Sequence, residues 1–302
     1  MFFFDFLSSA KNFILTFWTL LSLIFSSAPI SEAAYKAQDP DSLVMSFSLV
    51  SDAHIETTNS DVYKSFTTLL RSIKAGEDHD AAIFLGDNVM NGQGIESFLF
   101  YSAVKQIAPA QYNLVALGNH DVGNGEGDYE EMVRRFLECN TEKLDNPIEK
   151  PYYYRVIEGC YFIFLATEEL TVNSCVISRE QLDWLKATLI EAEAANAPIF
   201  VFNHHPIGRV EGEVGDELIE LLGKHEDLIY FCGHTHMELT DYSFRSSYGI
   251  NCVYLPRVME SDEYDAGIGV VVEVYESEIL VRARNFITGR WLDDLSYTYQ
   301  LK

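Results

Sequence analysis

Five short clusters in this sequence bring imidazole, carboxylate and carboxamide groups together at tight spacing: Asp52-Ala53-His54, Gly86-Asp87-Asn88, Gly118-Asn119-His120-Asp121, Asn203-His204-His205-Pro206 and Gly233-His234-Thr235-His236. Side chains of these types suit a pair of borderline-hard divalent cations such as Mn, Fe or Zn, which accept imidazole nitrogen and carboxylate oxygen together. Any one cluster is weak evidence, because Asp-x-His arises by chance and Gly-Asp is commonly a turn. Gly-Asn-His-Asp and Gly-His-x-His are rarer, and each of the five follows an apolar run. Turns and satisfied core histidines would have to account for all five at once.

The runs before the clusters read as strands that deliver them. Residues 43–51 alternate toward a core, 81–85 are wholly apolar, and 112–117, 198–202 and 228–232 are similar. After Asn59, a fair N-cap, Val62, Phe66, Leu69, Leu70 and Ile73 recur at helical spacing. Further helices are predicted near 95–107 and from Tyr129, where Met132, Val133, Phe136 and Leu137 share a face. Strand and helix in alternation imply a largely parallel sheet, whose carboxyl strand ends converge on one edge. Residues 152–157 and 161–165, separated by Glu158-Gly159, predict a hairpin. Ser178 and Gln181 read as a capping box before a helix bearing Leu182, Leu185 and Leu189, and another helix is expected around 214–222. Residues 249–255, 267–275, 279–286 and 295–301 read as consecutive antiparallel strands. With no repeat and no Pro-rich hinge, residues 35–302 are expected to form a single domain, two sheets face to face with helices outside.

The chain has 302 residues, long enough for a substantial core, and a formal net charge of -25 from 21 Lys and Arg against 46 Asp and Glu. Such a surface argues against nucleic acid and anionic headgroups as partners. Residues 13–25 are apolar and uncharged, and small residues follow up to Ala34. Thirteen residues fit the core of a signal peptide and fall short of the roughly 20 that span a bilayer. Residues 1–34 are therefore read as a signal peptide or an uncleaved signal anchor. The protein is expected to be exported (secreted, periplasmic or cell-surface) or anchored by this segment, its only membrane contact. Cys139, Cys160, Cys175, Cys232 and Cys252 contain no Cys-x-x-Cys pair, which argues against a thiolate zinc site; export would allow one or two disulfides, best placed among the first three. His79 and His225, in polar connections, are expected at the surface.

The set Asp52-x-His54, Gly86-Asp87, Gly118-Asn119-His120-Asp121, His204-x-Pro206 and Gly233-His234-x-His236 resembles that of the calcineurin-like metallophosphoesterase superfamily, and it spans residues 52–236. The resemblance implies an α/β fold of the metallo-dependent phosphatase-like type, a four-layer α/β/β/α sandwich of two mixed sheets. It implies a hydrolase of phosphate mono- or diesters, a phosphatase or phosphodiesterase, with a hydroxide bridging two metals as nucleophile. Carried over by motif, Asp52, His54 and His236 would bind one metal, Asn119, His204 and His234 the other, and Asp87 would bridge them. His120, following a ligand, would assist the leaving group; Asp121 would orient that imidazole or be an exposed turn carboxylate. The family places its ligand two residues before the proline, which selects His204 and leaves His205 on the cleft wall or packed inward.

Purple acid phosphatases carry a tyrosine where this chain has Met90 and lack a histidine where it has His54. The sequence is thus more similar to the bacterial phosphodiesterase-like branch, of which Gln181-Leu182-Asp183-Trp184-Leu185 is typical. The implied partner is a small phosphorylated substrate. Alternatives on the same core are a cyclic-nucleotide phosphodiesterase, a nuclease, which the acidic surface disfavours, and a non-catalytic metal-binding scaffold, against which an intact His120 speaks. Arg209 and Arg257 each follow a strand end, either to reach a phosphate or to pair with surface carboxylates.

Overall fold

The computed structural model describes residues 37–76, 79–259 and 266–301, so the apolar leader lies outside the described residues. Among those described, no helix is long and apolar enough to cross a membrane. Strands β1 (Met45–Val50), β2 (Ala81–Leu85) and β3 (Tyr112–Ala116) alternate with helices α1 (Ser60–Lys74), α2 (Gly94–Ile107) and α3 (Tyr129–Leu144). The hairpin β4 (Tyr153–Ile157) and β5 (Cys160–Phe164) follows, then α4 (Arg179–Ala194), β6 (Ile199–Phe202), α5 (Gly212–Leu222), β7 (Leu228–Cys232) and β8 (Asn251–Tyr254). Strands β9 (Ile268–Val274), β10 (Glu278–Asn285) and β11 (Arg290–Gln300) complete the order.

Two mixed sheets result, one ordered β11-β10-β9-β1-β2-β3 and the other β4-β5-β6-β7-β8. The expected run of antiparallel strands in the tail is corrected here. Strand β8 joins β7 in parallel, whereas β9 crosses to the first sheet and pairs antiparallel with β1. The apolar texture of residues 249–255 fits a buried strand in either sheet, and periodicity alone does not choose the partner.

The core lies between the sheets. Phe47 of β1 meets Phe162, Phe200, Phe202 and Phe231 of the opposite sheet edge-on, with ring centroids 5.0 to 6.1 Å apart. Alternate residues of β5 to β7 point the other way, so Ile163, Val201 and Tyr230 pack with Leu182, Leu185 and Leu189 of α4 and Leu218 and Leu222 of α5. On the far side, Phe84 of β2 touches Phe66 of α1 and Phe100 of α2 at 6.1 and 5.4 Å. Strands covered on both faces need apolar residues at every position, which explains their continuous runs.

Local signals place the elements. Asn59 Oδ1 accepts the N–H groups of Asp61 and Val62 and caps α1. Ser178 caps α4 through the Gln181 N–H, but Gln181 does not complete the capping box; its side chain bonds the N–H and C=O of Ala166 instead. Glu158 and Gly159 both have positive φ, 47° and 78°, as a tight hairpin turn with the right-handed strand twist requires.

One expectation fails through burial. His79 is buried, not superficial, with Nδ1 3.1 Å from the Ser46 hydroxyl. The five cysteines are unpaired; Cys139 is partly exposed and the other four are buried, with Cys175, Cys232 and Cys252 in the cluster under α4 and α5. His225 is partly exposed, with Nδ1 3.2 Å from Glu193 Oε1.

A candidate dinuclear metal centre

Parallel pairing of β1 with β2, β2 with β3 and β6 with β7 brings five strand ends to one edge, and the polar clusters leave from there. The loops must then approach one another closely. A Cβ on Gly118 would overlap the backbone nitrogen and carboxylate of Asp87, and one on Gly233 would overlap Ser51 and the Asp52 carboxylate. Only glycine fits at either point.

Each carboxylate keeps one oxygen for the protein and turns the other inward. Asp52 Oδ2 accepts the Ser51 hydroxyl and the His234 N–H, the latter at 3.2 Å. Its Oδ1 lies 3.0 Å from His236 Nε2, 3.8 Å from His54 Nε2 and 3.9 Å from His204 Nε2. Asp87 Oδ1 accepts the His120 N–H at 2.8 Å, which leaves Oδ2 3.0 Å from His204 Nε2. Asn119 Nδ2 donates to Asn124 Oδ1 at 2.9 Å, and this orients Asn119 Oδ1 to 3.0 Å from His234 Nδ1.

Two groups of ligand atoms emerge. Asp52, His54, Asp87 and His236 each offer an atom within 4.8 Å of the others, and so do Asp87, His204 and His234, with Asp87 in both. His204 tests whether cations fit. Its Nδ1 donates to the Leu85 carbonyl at 2.9 Å, while Nε2, wholly buried, is not aligned for any hydrogen bond despite its nearness to Asp87. An orphaned imidazole nitrogen between two inward carboxylate oxygens is a donor set suited to a borderline-hard cation.

Charge follows the same geometry. Burial lowers the basicity of His204, but Asp87 and then Asp52 outweigh it and raise the pKa to about 10. That proton occupies the place a cation would take. Burial disfavours ionised Asp52 and Asp87, yet His204 leads in holding both below the usual carboxylate range. His54 and His234 are pushed by burial down to about 4, so both present neutral rings. His120, His234 and His236 remain partly open to solvent.

Five of these positions share a backbone feature. Asp52, His54, Asp87, His234 and His236 all have left-handed φ, between 44° and 68°. Non-glycine residues adopt this region rarely, and its clustering at chemically active positions is a mark of functional sites.

The remaining sequence candidates divide. His120 stands beside the ligand groups, its ring centroid 4.7 Å from that of His54, and its Nδ1 donates to the Met90 carbonyl at 2.6 Å. The expected Asp121 contact with this ring is absent: the Asp121 carboxylate turns away and accepts from Asn88, Val89 and Gly118. Nor is that carboxylate an exposed turn group: the residue is half-buried and its oxygens accept four hydrogen bonds, and burial and then Asp87 raise its pKa to about 7. His205 packs inward with its ring 4.5 Å from that of His234, and burial depresses its pKa to about 2. Arg209 is exposed on a short 3-10 turn, and Arg257 bridges Ser51 beside Asp52. Ser51, Asn124 and the carbonyls of Leu85 and Met90 escaped the sequence reading. Backbone partners leave no side-chain signal, and Ser51 and Asn124 look like ordinary turn residues.

The sequence profile of calcineurin-like phosphoesterases matches residues 45–238. A solved dimetal phosphatase from Danio rerio covers 86% of this chain and 100% of its own, with 15% identity and a TM-score of 0.58, a likeness of fold. Two looser likenesses carry no weight. One is to a Streptococcus pneumoniae TIGR4 protein described as a predicted phosphoesterase (12% identity, 85% and 97% coverage, TM-score 0.42). The other is to a serine/threonine phosphatase from Saccharomyces cerevisiae (12% identity, 97% and 89% coverage, TM-score 0.40). No curated protein matches the sequence.

Proposed function

Because the chain belongs to the calcineurin-like phosphoesterase family, and so to the metal-dependent phosphoesterases, we propose that it hydrolyses small phosphate mono- or diesters at a centre of two divalent cations. The observation that carries the proposal is the pair of ligand groups joined at Asp87. Asp52, His54 and His236 would hold one cation, and Asn119, His204 and His234 the other. When bound, two cations supply Lewis acidity toward the phosphoryl oxygens and toward water.

The chain's own residues do the rest. Inward oxygens of Asp52 and Asp87 supply negative charge, while the Leu85 carbonyl fixes the His204 ring so that Nε2 faces them. Asn124 fixes the Asn119 amide. His120 gives its Nδ1 proton to the Met90 carbonyl in a hydrogen bond, so Nε2 is the atom from which a proton can move to a leaving oxygen. With a net charge of -25 the chain favours small substrates over nucleic acid, and residues 1–34 favour export or anchoring.

The test is turnover by the purified, Mn-loaded chain of nitrophenyl phosphate and its bis ester, then of cyclic nucleotides, nucleotides, phospholipid head groups and phosphosugars. Hydrolysis that disappears on chelation and returns with Mn is expected. A metal-loaded sample inert toward both nitrophenyl esters would overturn the proposal.

A further inference from the structure

The loop after β2 and the loop after β3 hold each other through their carboxylates. Asp87, on the first, accepts the His120 N–H of the second at 2.8 Å. Asp121, on the second, reaches back to the first. Its Oδ1 accepts the N–H groups of Asn88 (3.0 Å) and Val89 (3.2 Å), and its Oδ2 accepts Asn88 Nδ2 (3.1 Å) and the Gly118 N–H (2.8 Å). Asn88 Nδ2 also donates to the Ala116 carbonyl at the end of β3, at 3.1 Å.

We propose that Asp121 is a positioning residue that completes a reciprocal clasp with Asp87 and so fixes the one carboxylate common to both cation groups. The inference rests on the dinuclear reading given above. A shared ligand has little tolerance, because any displacement that suits one cation moves it away from the other. Asp87 is also not free to find its place unaided. Its φ of 48° is left-handed, one oxygen is committed to His120, and Gly118 leaves no side-chain volume between the loops. The two residues directly after Asp87 are tied down by Asp121, which removes the rotation by which a left-handed residue would relax.

The clasp needs an acid at position 121. Four donors converge on two oxygens, so each oxygen must accept twice. An asparagine of nearly the same volume keeps one accepting oxygen and sets an N–H₂ donor against two others. Asp121→Asn therefore breaks half of the clasp without opening a cavity.

Mn titration of the full-length metal-free chain, by calorimetry and by electron paramagnetic resonance, tests this. Two Mn ions that share a ligand give an exchange-coupled spectrum, and ions held apart give the isolated-ion spectrum. The native chain is expected to bind a coupled pair. Asp121→Asn is expected to bind the pair about 10-fold or more weakly, the scale for residues that orient metal ligands, and to show isolated ions. Asn88→Ser, which removes only the Nδ2 contacts, is expected to move both readouts the same way by less. Asn140→Ala is the control for lost stability. Its buried amide in α3 donates to Tyr101 Oη and the Phe136 carbonyl and to neither loop, and this variant is expected to melt earlier yet bind a coupled pair at native affinity. Native affinity and coupling in Asp121→Asn would overturn the proposal. If that variant does not fold, native behaviour of Asn88→Ser overturns it equally, as would a loss of affinity in Asn140→Ala as large as in the clasp variants. A native chain that binds no Mn pair would instead overturn the dinuclear reading itself.

Discussion

Replacing Asp87 with Asn asks whether one carboxylate organises the centre. In the metal-free protein His204 is wholly buried and yet protonated, with a pKa raised to about 10. Its Nε2 lies 3.0 Å from Asp87 Oδ2 and 3.9 Å from Asp52 Oδ1. Unit charges at the shorter distance attract by about 5.5 kcal/mol at an effective permittivity of about 20. Since about 1.36 kcal/mol corresponds to one pH unit, loss of the Asp87 charge should bring the His204 pKa down to ~6. Imidazole nitrogen resonances of the metal-free chain read this directly. At pH 8 His204 should be doubly protonated in the native protein and neutral in Asp87→Asn. Metal binding follows from the same proton. A cation must displace it, so the native chain should release a proton on binding Mn, and affinity should rise with pH through the neutral range. Asp87→Asn should release none from His204 and should hold no Mn pair, for want of the shared anion. A His204 still protonated at pH 8 in Asp87→Asn would refute the assignment of that proton to Asp87, and with it the argument that this carboxylate dominates the site.

Other perturbations separate chemistry from architecture. His120→Asn should retain both metals and lose about 10² to 10⁴ in turnover, the range for a general acid; metal loss in that variant would make His120 a ligand. Phe47→Ala removes a ring that meets four others between the sheets, and urea unfolding should show a loss of about 3 to 5 kcal/mol. Burial, with Arg284 second, lowers the His79 pKa to about 3, below an unfolded value of about 6.5. The unfolded chain therefore binds the extra proton as pH falls below that value. Native stability should drop relative to His79→Gln between roughly pH 6.5 and 3, by at most about 1.4 kcal/mol per pH unit. A constant difference between the two across this range would exclude His79 as the source.

Much of the fold was legible because the strands that matter are short, apolar and punctuated. Residues 81–85 and 228–232 begin and end where β2 and β7 do, and the glycine that follows each, Gly86 or Gly233, marks the turn toward the site. The ligand candidates were legible for a related reason: imidazole and carboxylate groups directly after buried strands have no packing role to explain them. What stayed hidden depends on long-range pairing or on backbone atoms. The transfer of β9 to the first sheet is fixed by its register with β1, Met45 opposite Val274 and Leu49 opposite Val270, which no local pattern encodes. The Met90 carbonyl that takes the place of Asp121 behind His120 carries no residue signature at all.

The left-handed backbone at Asp52, His54, Asp87, His234 and His236 ties these observations together. Each such residue costs about 1–2 kcal/mol relative to an ordinary conformation. Glycine would remove that cost but brings no donor atom, so the two demands on these positions are incompatible. At two of the five, Asp87 and His234, the chain separates them by placing glycine next to the ligand rather than in its place. Gly86 precedes Asp87 and Gly233 precedes His234, and at Gly233, as at Gly118 before Asn119, the absent Cβ makes room for a carboxylate of another loop. Residues 182 positions apart, His54 and His236, thereby lie with Nε2 atoms 3.1 Å from each other. Hydrogen bonds to Asp52 Oδ2, Asp87 Oδ1 and both oxygens of Asp121 restrain the turns from the backbone side. The two buried carboxylates that would face the cations are thus also structural acceptors, and a substitution that spares the inward oxygen but removes the outward one should disturb the centre nearly as much as loss of the ligand itself.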